Sequence, residues 1–133
     1  MTVAWWTPLL AGVVAWMVGG AWYGVLGERW IAATGKSKEE LRPGGAQPMG
    51  PMILSFLADL VMAHALAYIV SRAGPVTLAQ GLRWALVAWI GFTATSILVN
   101  YRFARRDPAL TLIDGGHWLA ATLAAGAVIG ALG

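Results

Sequence analysis

Four uninterrupted apolar runs dominate the 133-residue sequence, at about residues 8–27, 52–70, 78–101 and 108–132. A helix rises ~1.5 Å per residue, so about 20 residues cross a hydrocarbon core ~30 Å thick. Each run has that length. The runs are continuously apolar rather than alternating, which excludes the strand pattern of a membrane β-barrel. Only 11% of the residues are charged, whereas a soluble domain carries about a quarter. So few charges cannot cover a water-facing surface, and lipid is the solvent that remains. The sequence therefore predicts an all-α membrane protein with a single transmembrane domain covering residues 1–133. The domain is a four-transmembrane-helix bundle with a cytoplasmic loop at 28–51. Short second and third connections make sequential helices antiparallel neighbours. No Lys or Arg precedes Arg29, so the first run lacks the basic head of a signal peptide and is read as a retained helix.

Start and stop signals frame the helices. Thr7-Pro8 reads as an N-cap followed by proline at the first helical position, and Asp107-Pro108 repeats the device at the fourth helix. Thr77 with Gln80 has capping-box spacing, as does Ser37 with Glu40. Pro48 and Pro51 open the second helix, and the first is expected to run past the membrane to about Gly35. Of the nine Lys and Arg residues, seven fall in the first and third loops, leaving Arg72 and Arg83 on the other side. The positive-inside rule then places those loops in the cytoplasm and both termini on the extracytoplasmic side. The net charge of +3 is read as this topology signal and not as nucleic-acid binding.

Ionisable groups within a span are costly, on the order of 2.5–3.5 kcal/mol at the centre on insertion scales, so those present need partners. Asp59 and Asp114 lie eight and six residues beyond Pro51 and Pro108, roughly 12 and 9 Å from the helix starts. Asn100 and Arg102 end the third helix at the same level, and Trp22 and Tyr23 reach it from the first. The expectation is one polar layer near the cytoplasmic face, in which Asp59 or Asp114 binds a proton, cation or small polar ligand. Arg102 is a candidate counter-ion, and His117 shares a helix face with Asp114. Trp89, Thr93, Ser96 and Asn100 form a polar stripe suited to the interior. Hydrogen-bonding glue between helices is an equally open reading of these polar groups. His64 is read as a histidine satisfied by a helix carbonyl.

Without cysteine there are no disulfides or thiolate metal sites. The two Asp and two His match no compact ligand spacing, so neither a metal nor a cofactor is expected. An enzyme using Asp114 and His117 as an acid–base pair lacks a nucleophile beside it, and the reading leans against catalysis. Gly20/Gly24 and Gly126/Gly130 are small-residue pairs that let helix backbones approach. Within one chain they pack the bundle, and between chains they make a homodimer or dock a membrane-protein partner. The bilayer itself is the expected partner.

The run Gly20-Ala21-Trp22-Tyr23-Gly24, with Trp30 and Gly35 beyond it, resembles the opening signature of a small bacterial membrane family catalogued as domain of unknown function 1761. Trp89-Ile90-Gly91-Phe92 and Leu112-Ile113-Asp114-Gly115-Gly116-His117 are similar to its later motifs. The resemblance covers essentially the whole chain and implies a four-helix fold in the inner (plasma) membrane. It implies no activity and transfers no catalytic residue. Where an aromatic is expected after Asp-Gly, this chain has Gly116-His117-Trp118. Two functional classes stay open, a proton, cation or small-solute handler and an accessory subunit of a larger complex.

Overall fold

A computed structural model describes residues 2–133. Its four long helices, Thr7–Thr34, Met49–Arg72, Leu78–Phe103 and Pro108–Leu132, are each long and apolar enough to cross a membrane. There is no strand among the described residues. Many large apolar side chains stand on the outside, among them Val25, Val61, Phe92 and Phe103. Such a surface is untenable in water but ordinary against lipid tails.

The caps show how the sequence sets these bounds. The first span ends at Gly35, whose φ of 72° is the left-handed conformation that closes a helix at little steric cost. Ser37 and Glu40 form both bonds of a capping box and start a short helix, Lys38–Leu41, inside the long loop. Thr77 accepts from the Gln80 N–H at 3.2 Å. The return bond is not made, and the Gln80 side-chain oxygen is buried without a partner. Asp107 caps the fourth span by accepting from the Ala109 N–H at 2.9 Å. Thr7 does not act as the cap expected of it. The helix starts one residue earlier, with Trp6 in the cap position. A preceding turn satisfies the Thr7 N–H at the Ala4 carbonyl, 3.1 Å away, and the Thr7 hydroxyl is buried without a partner. Between the third and fourth spans, Arg106 N–H reaches the Tyr101 carbonyl and Arg105 N–H the Arg102 carbonyl. That is a Schellman closure, with Arg105 at φ 53° where glycine is usual.

The fourth span is the organising element and touches each of the other three, most extensively the first and third. The core is built from small residues. Ala11 and Ala15 meet Ala63, Leu66, Ala67 and Val70 of the second span and Ala121, Ala125 and Ile129 of the fourth. These residues occupy the early half of the first span and the late halves of the second and fourth. At Gly81, Gly126 and Gly130 the third and fourth spans meet backbone to backbone, and a Cβ on any of the three would collide with a carbonyl of the other helix. Past this crossing the third span passes through a π-helical stretch, Trp89–Ala94, a local widening that shifts helix register. Trp89 donates to the Gly115 carbonyl of the fourth span at 2.9 Å, but beyond the stretch Ser96 and Asn100 are exposed, so the expected interior stripe holds only at its start. Instead, Thr95 and Ser96 donate to the Gly91 and Phe92 carbonyls of their own helix.

Candidate functional site

Small residues fill the core end of the bundle. The other end, nearer the residue 35–48 loop, holds larger and more polar side chains and two separate cavities. The larger, about 550 Å³, lies between the first and second spans and the loop, with His117 reaching it from the fourth. The two spans close up where Gly12 admits the backbone of Leu60. Gly20 and Gly24 lie further along the same face and have no neighbouring atom within 4 Å of where a Cβ would be. They line this cavity and form no helix contact within the chain, contrary to the packing role expected of them.

Asp59 lies on the cavity wall, only 2% exposed. Its Oδ1 is buried without a hydrogen-bond partner. The polar group one turn before it, Ser55, is already engaged. Ser55 Oγ accepts from Trp16 Nε1 at 3.1 Å and donates to the Met52 carbonyl at 2.8 Å. Trp16 is held edge-on against Phe56, with ring centroids 5.5 Å apart. The carboxyl is thus left facing the cavity with no cation beside it. The ionisable groups sharing that cavity are Tyr23 and Glu28 from the first span, Arg42 from the loop and His117 from the fourth.

Asp114 is placed quite differently. Tyr23 donates its hydroxyl to one carboxylate oxygen and Tyr101 donates to the other, both at 2.6 Å. This clasp ties the first and third spans to the fourth. It faces a second cavity of about 210 Å³ with Trp30, Thr34, Lys36, Tyr101 and Arg106 around it. The expected single layer is therefore divided, with Asp59 on one cavity and Asp114 on the other. The expected Asp114–His117 pair is replaced by Tyr23, whose ring packs on His117 at 4.9 Å while its hydroxyl serves Asp114. His117 is 8% exposed with Nδ1 unpartnered. Gly19 makes room for its ring, since a Cβ there would lie 2.8 Å from Nε2.

Arg102 is not a counter-ion. Its guanidinium donates to the Arg106 carbonyl at 3.0 Å and to the Thr111 hydroxyl at 3.5 Å, holding the turn before the fourth span. Among the described residues the ion pair present is Lys38–Glu28 at 2.7 Å, at the exposed foot of the first span. Asn100 faces outward. Trp22 donates to the Ile113 carbonyl at 3.0 Å and covers Gly116, a positioning contact beside Asp114. His64 Nδ1 lies 2.7 Å from the Leu60 carbonyl, outside both cavities. No group of three or more His, Asp or Glu residues is assembled for a metal ion among the described residues.

Several residues of this region were missed in the sequence. Trp16 and Ser55 carried a signal. Ser55 stands four residues before Asp59 and so shares its helix face, and Trp16 lies on the same stripe as Gly12 and Gly20. Arg42 and Gln47 reach the cavity from an irregular loop, for which spacing gives no signal.

The model of a family described as "Protein of unknown function (DUF1761)" matches residues 6–130. No curated protein and no solved structure matches the chain.

Proposed function

The chain belongs to the DUF1761 family of proteins of unknown function, and from the geometry of its larger cavity we propose that it is a membrane-embedded binding protein whose Asp59 takes up a proton or a cationic solute. The observation that carries this reading is the buried Asp59 oxygen without a partner on the wall of a 550 Å³ cavity. A carboxyl taken out of water is tolerated as a neutral acid or as a carboxylate with a cation beside it, and exchange between those states is a binding event. Asp114 has both oxygens occupied by tyrosines and serves as the glue that the sequence reading left open. The distribution of Lys and Arg supports both termini outside, antiparallel neighbours and a cavity in the cytoplasmic half of an inner membrane.

The test is labelling with a lipophilic carbodiimide, which adds across a protonated carboxyl in an apolar site and rearranges to a stable N-acylurea. In protein held in lipid, mass mapping is expected to find the adduct on Asp59 and not on Asp114. Asp59 labelling should fall as pH rises, because deprotonation removes the acid that reacts. Adduct on Asp114 with none on Asp59 would refute the assignment.

A second reading, an accessory subunit, is favoured by one observation. Past its π-helical stretch the third span leaves the Asn100 side chain exposed, a polar group that a second helix in the bilayer would satisfy. A partner or second copy retained on gentle solubilisation, and lost on Asn100→Leu, supports it. A protein that stays monomeric in several mild detergents removes it.

A further inference from the structure

The larger cavity has three features that together select one class of occupant. The first is its charge. Asp59 contributes a single carboxylate with an unpartnered oxygen, buried on the cavity wall. The neighbouring polar atoms of Trp16 and Ser55 are bonded to each other and to the Met52 carbonyl. A small inorganic cation stripped of water needs several oxygen ligands, typically six or more for the hard divalent ions. Such a set is not assembled here. A bulky organic cation sheds its weak hydration readily and needs one counter-charge with polarisable walls.

The walls are the second feature. Trp16, Tyr23 and Trp30 supply aromatic rings, and Met17 and Met52 supply thioethers. Aromatic faces attract cations, and thioethers adapt to irregular apolar shapes. A volume of about 550 Å³ lies within the ~300–1,000 Å³ of drug-sized sites.

The third feature is access. Met17, which lines the cavity, is 64% exposed on the outside of the first span. Gly20 and Gly24 beside it are exposed, with open space where side chains would stand. One wall of the cavity is therefore continuous with the lipid-facing surface. The opposite end carries Glu28, Arg42 and Gln47 at the loop.

We infer that this cavity binds a lipophilic organic monocation, its charge on Asp59 and its body along the Gly20/Gly24 face of the first span. The inference rests on the reading of Asp59 as a binding carboxyl. It goes further in naming the ligand class and the bilayer as its source.

Tetraphenylphosphonium and tetraphenylborate, of nearly equal size and opposite charge, are the probes. Equilibrium binding to protein in lipid nanodiscs is measured against empty discs of the same lipid. Saturable binding of the phosphonium is expected, with none for the borate. Asp59→Asn should weaken phosphonium binding at least tenfold. So should Gly24→Leu, which fills the groove from a position where a Cβ has no neighbouring atom within 4 Å, with an unchanged thermal melt expected. Borate binding equal to that of the phosphonium overturns the inference, as does phosphonium binding that survives Asp59→Asn. Absence of saturable phosphonium binding while Asp59 still takes the carbodiimide overturns the organic-cation inference alone. Absence of both results overturns the underlying reading as well.

Discussion

Asp114→Ala is expected to lower the stability of the bundle by roughly 3 kcal/mol, a shift of over a hundredfold in the folding equilibrium. Two tyrosine hydroxyls, one from the first span and one from the third, converge on this carboxylate at 2.6 Å. Hydrogen bonds to a charged group contribute about 1.5–3 kcal/mol each in soluble proteins. Measured couplings between membrane helices reach only about 1.7 kcal/mol, and two bonds near that ceiling give the figure quoted. The asymmetry of the clasp supplies a sharper comparison. Removing both donors with Tyr23→Phe and Tyr101→Phe leaves a carboxylate unpaired, and orphaning a charged group costs more than deleting it. The double tyrosine variant should therefore be less stable than Asp114→Ala when both are titrated with a denaturing detergent. Wild-type stability in Asp114→Ala would remove the clasp from the account.

Gly126→Leu is expected to be still more damaging and to yield no folded protein. At this point a Cβ would meet the Gly81 carbonyl and the Ala85 side chain of the third span. Helix axes that cross on bare backbone must separate to admit a side chain. Overpacking in a core typically costs about 1–3 kcal/mol, and separation here also forfeits the contact that seats the third span on the fourth. Gly20→Leu is expected to leave folding intact, because nothing stands within 4 Å of its Cβ position. Trypsin resistance of the purified variants separates the two outcomes. Equal tolerance at Gly20 and Gly126 would contradict the packing described.

That contrast shows where the sequence was legible. Gly20/Gly24 and Gly126/Gly130 are the same small-xxx-small pattern, and both were expected to pack helices. One pair lies under Thr77, Gly81 and Ala85, and the other borders open space. The pattern says that a backbone can be approached, not that anything approaches it. The spans were readable because bilayer thickness dictates their length, and the third and fourth helices begin at Leu78 and Pro108 as their caps imply. The Ser37–Glu40 capping box was also readable, since both of its bonds are local. Thr7 failed as a cap because the helix starts a residue earlier, which puts Trp6 in the cap position and Thr7 inside the first turn.

Depth along a helix was enough to bring Asp59, Asp114, Tyr23 and His117 to one end of the bundle. It was not enough to divide them between cavities, because that depends on helix rotation. Tyr101, neighbour to the outward-facing Asn100, turns in to Asp114 for the same reason. Charge alone pairs Arg102 with a carboxylate, yet the turn that Arg105 makes brings the Arg106 carbonyl within its reach.

The claim on which the functional account depends is that Asp59, and not Asp114, is the carboxyl that exchanges its charge. Infrared difference spectra between high and low pH, taken on the protein in lipid, observe it directly through the carbonyl stretch of a protonated aspartic acid. The high-frequency band of an acid in an apolar site is expected on acidification of the wild-type protein and is expected to be missing in Asp59→Asn. The lower-frequency bands of the exposed carboxyls at Glu28, Glu39, Glu40 and Asp107 remain in both. A high-frequency band that persists unchanged in Asp59→Asn would contradict the account.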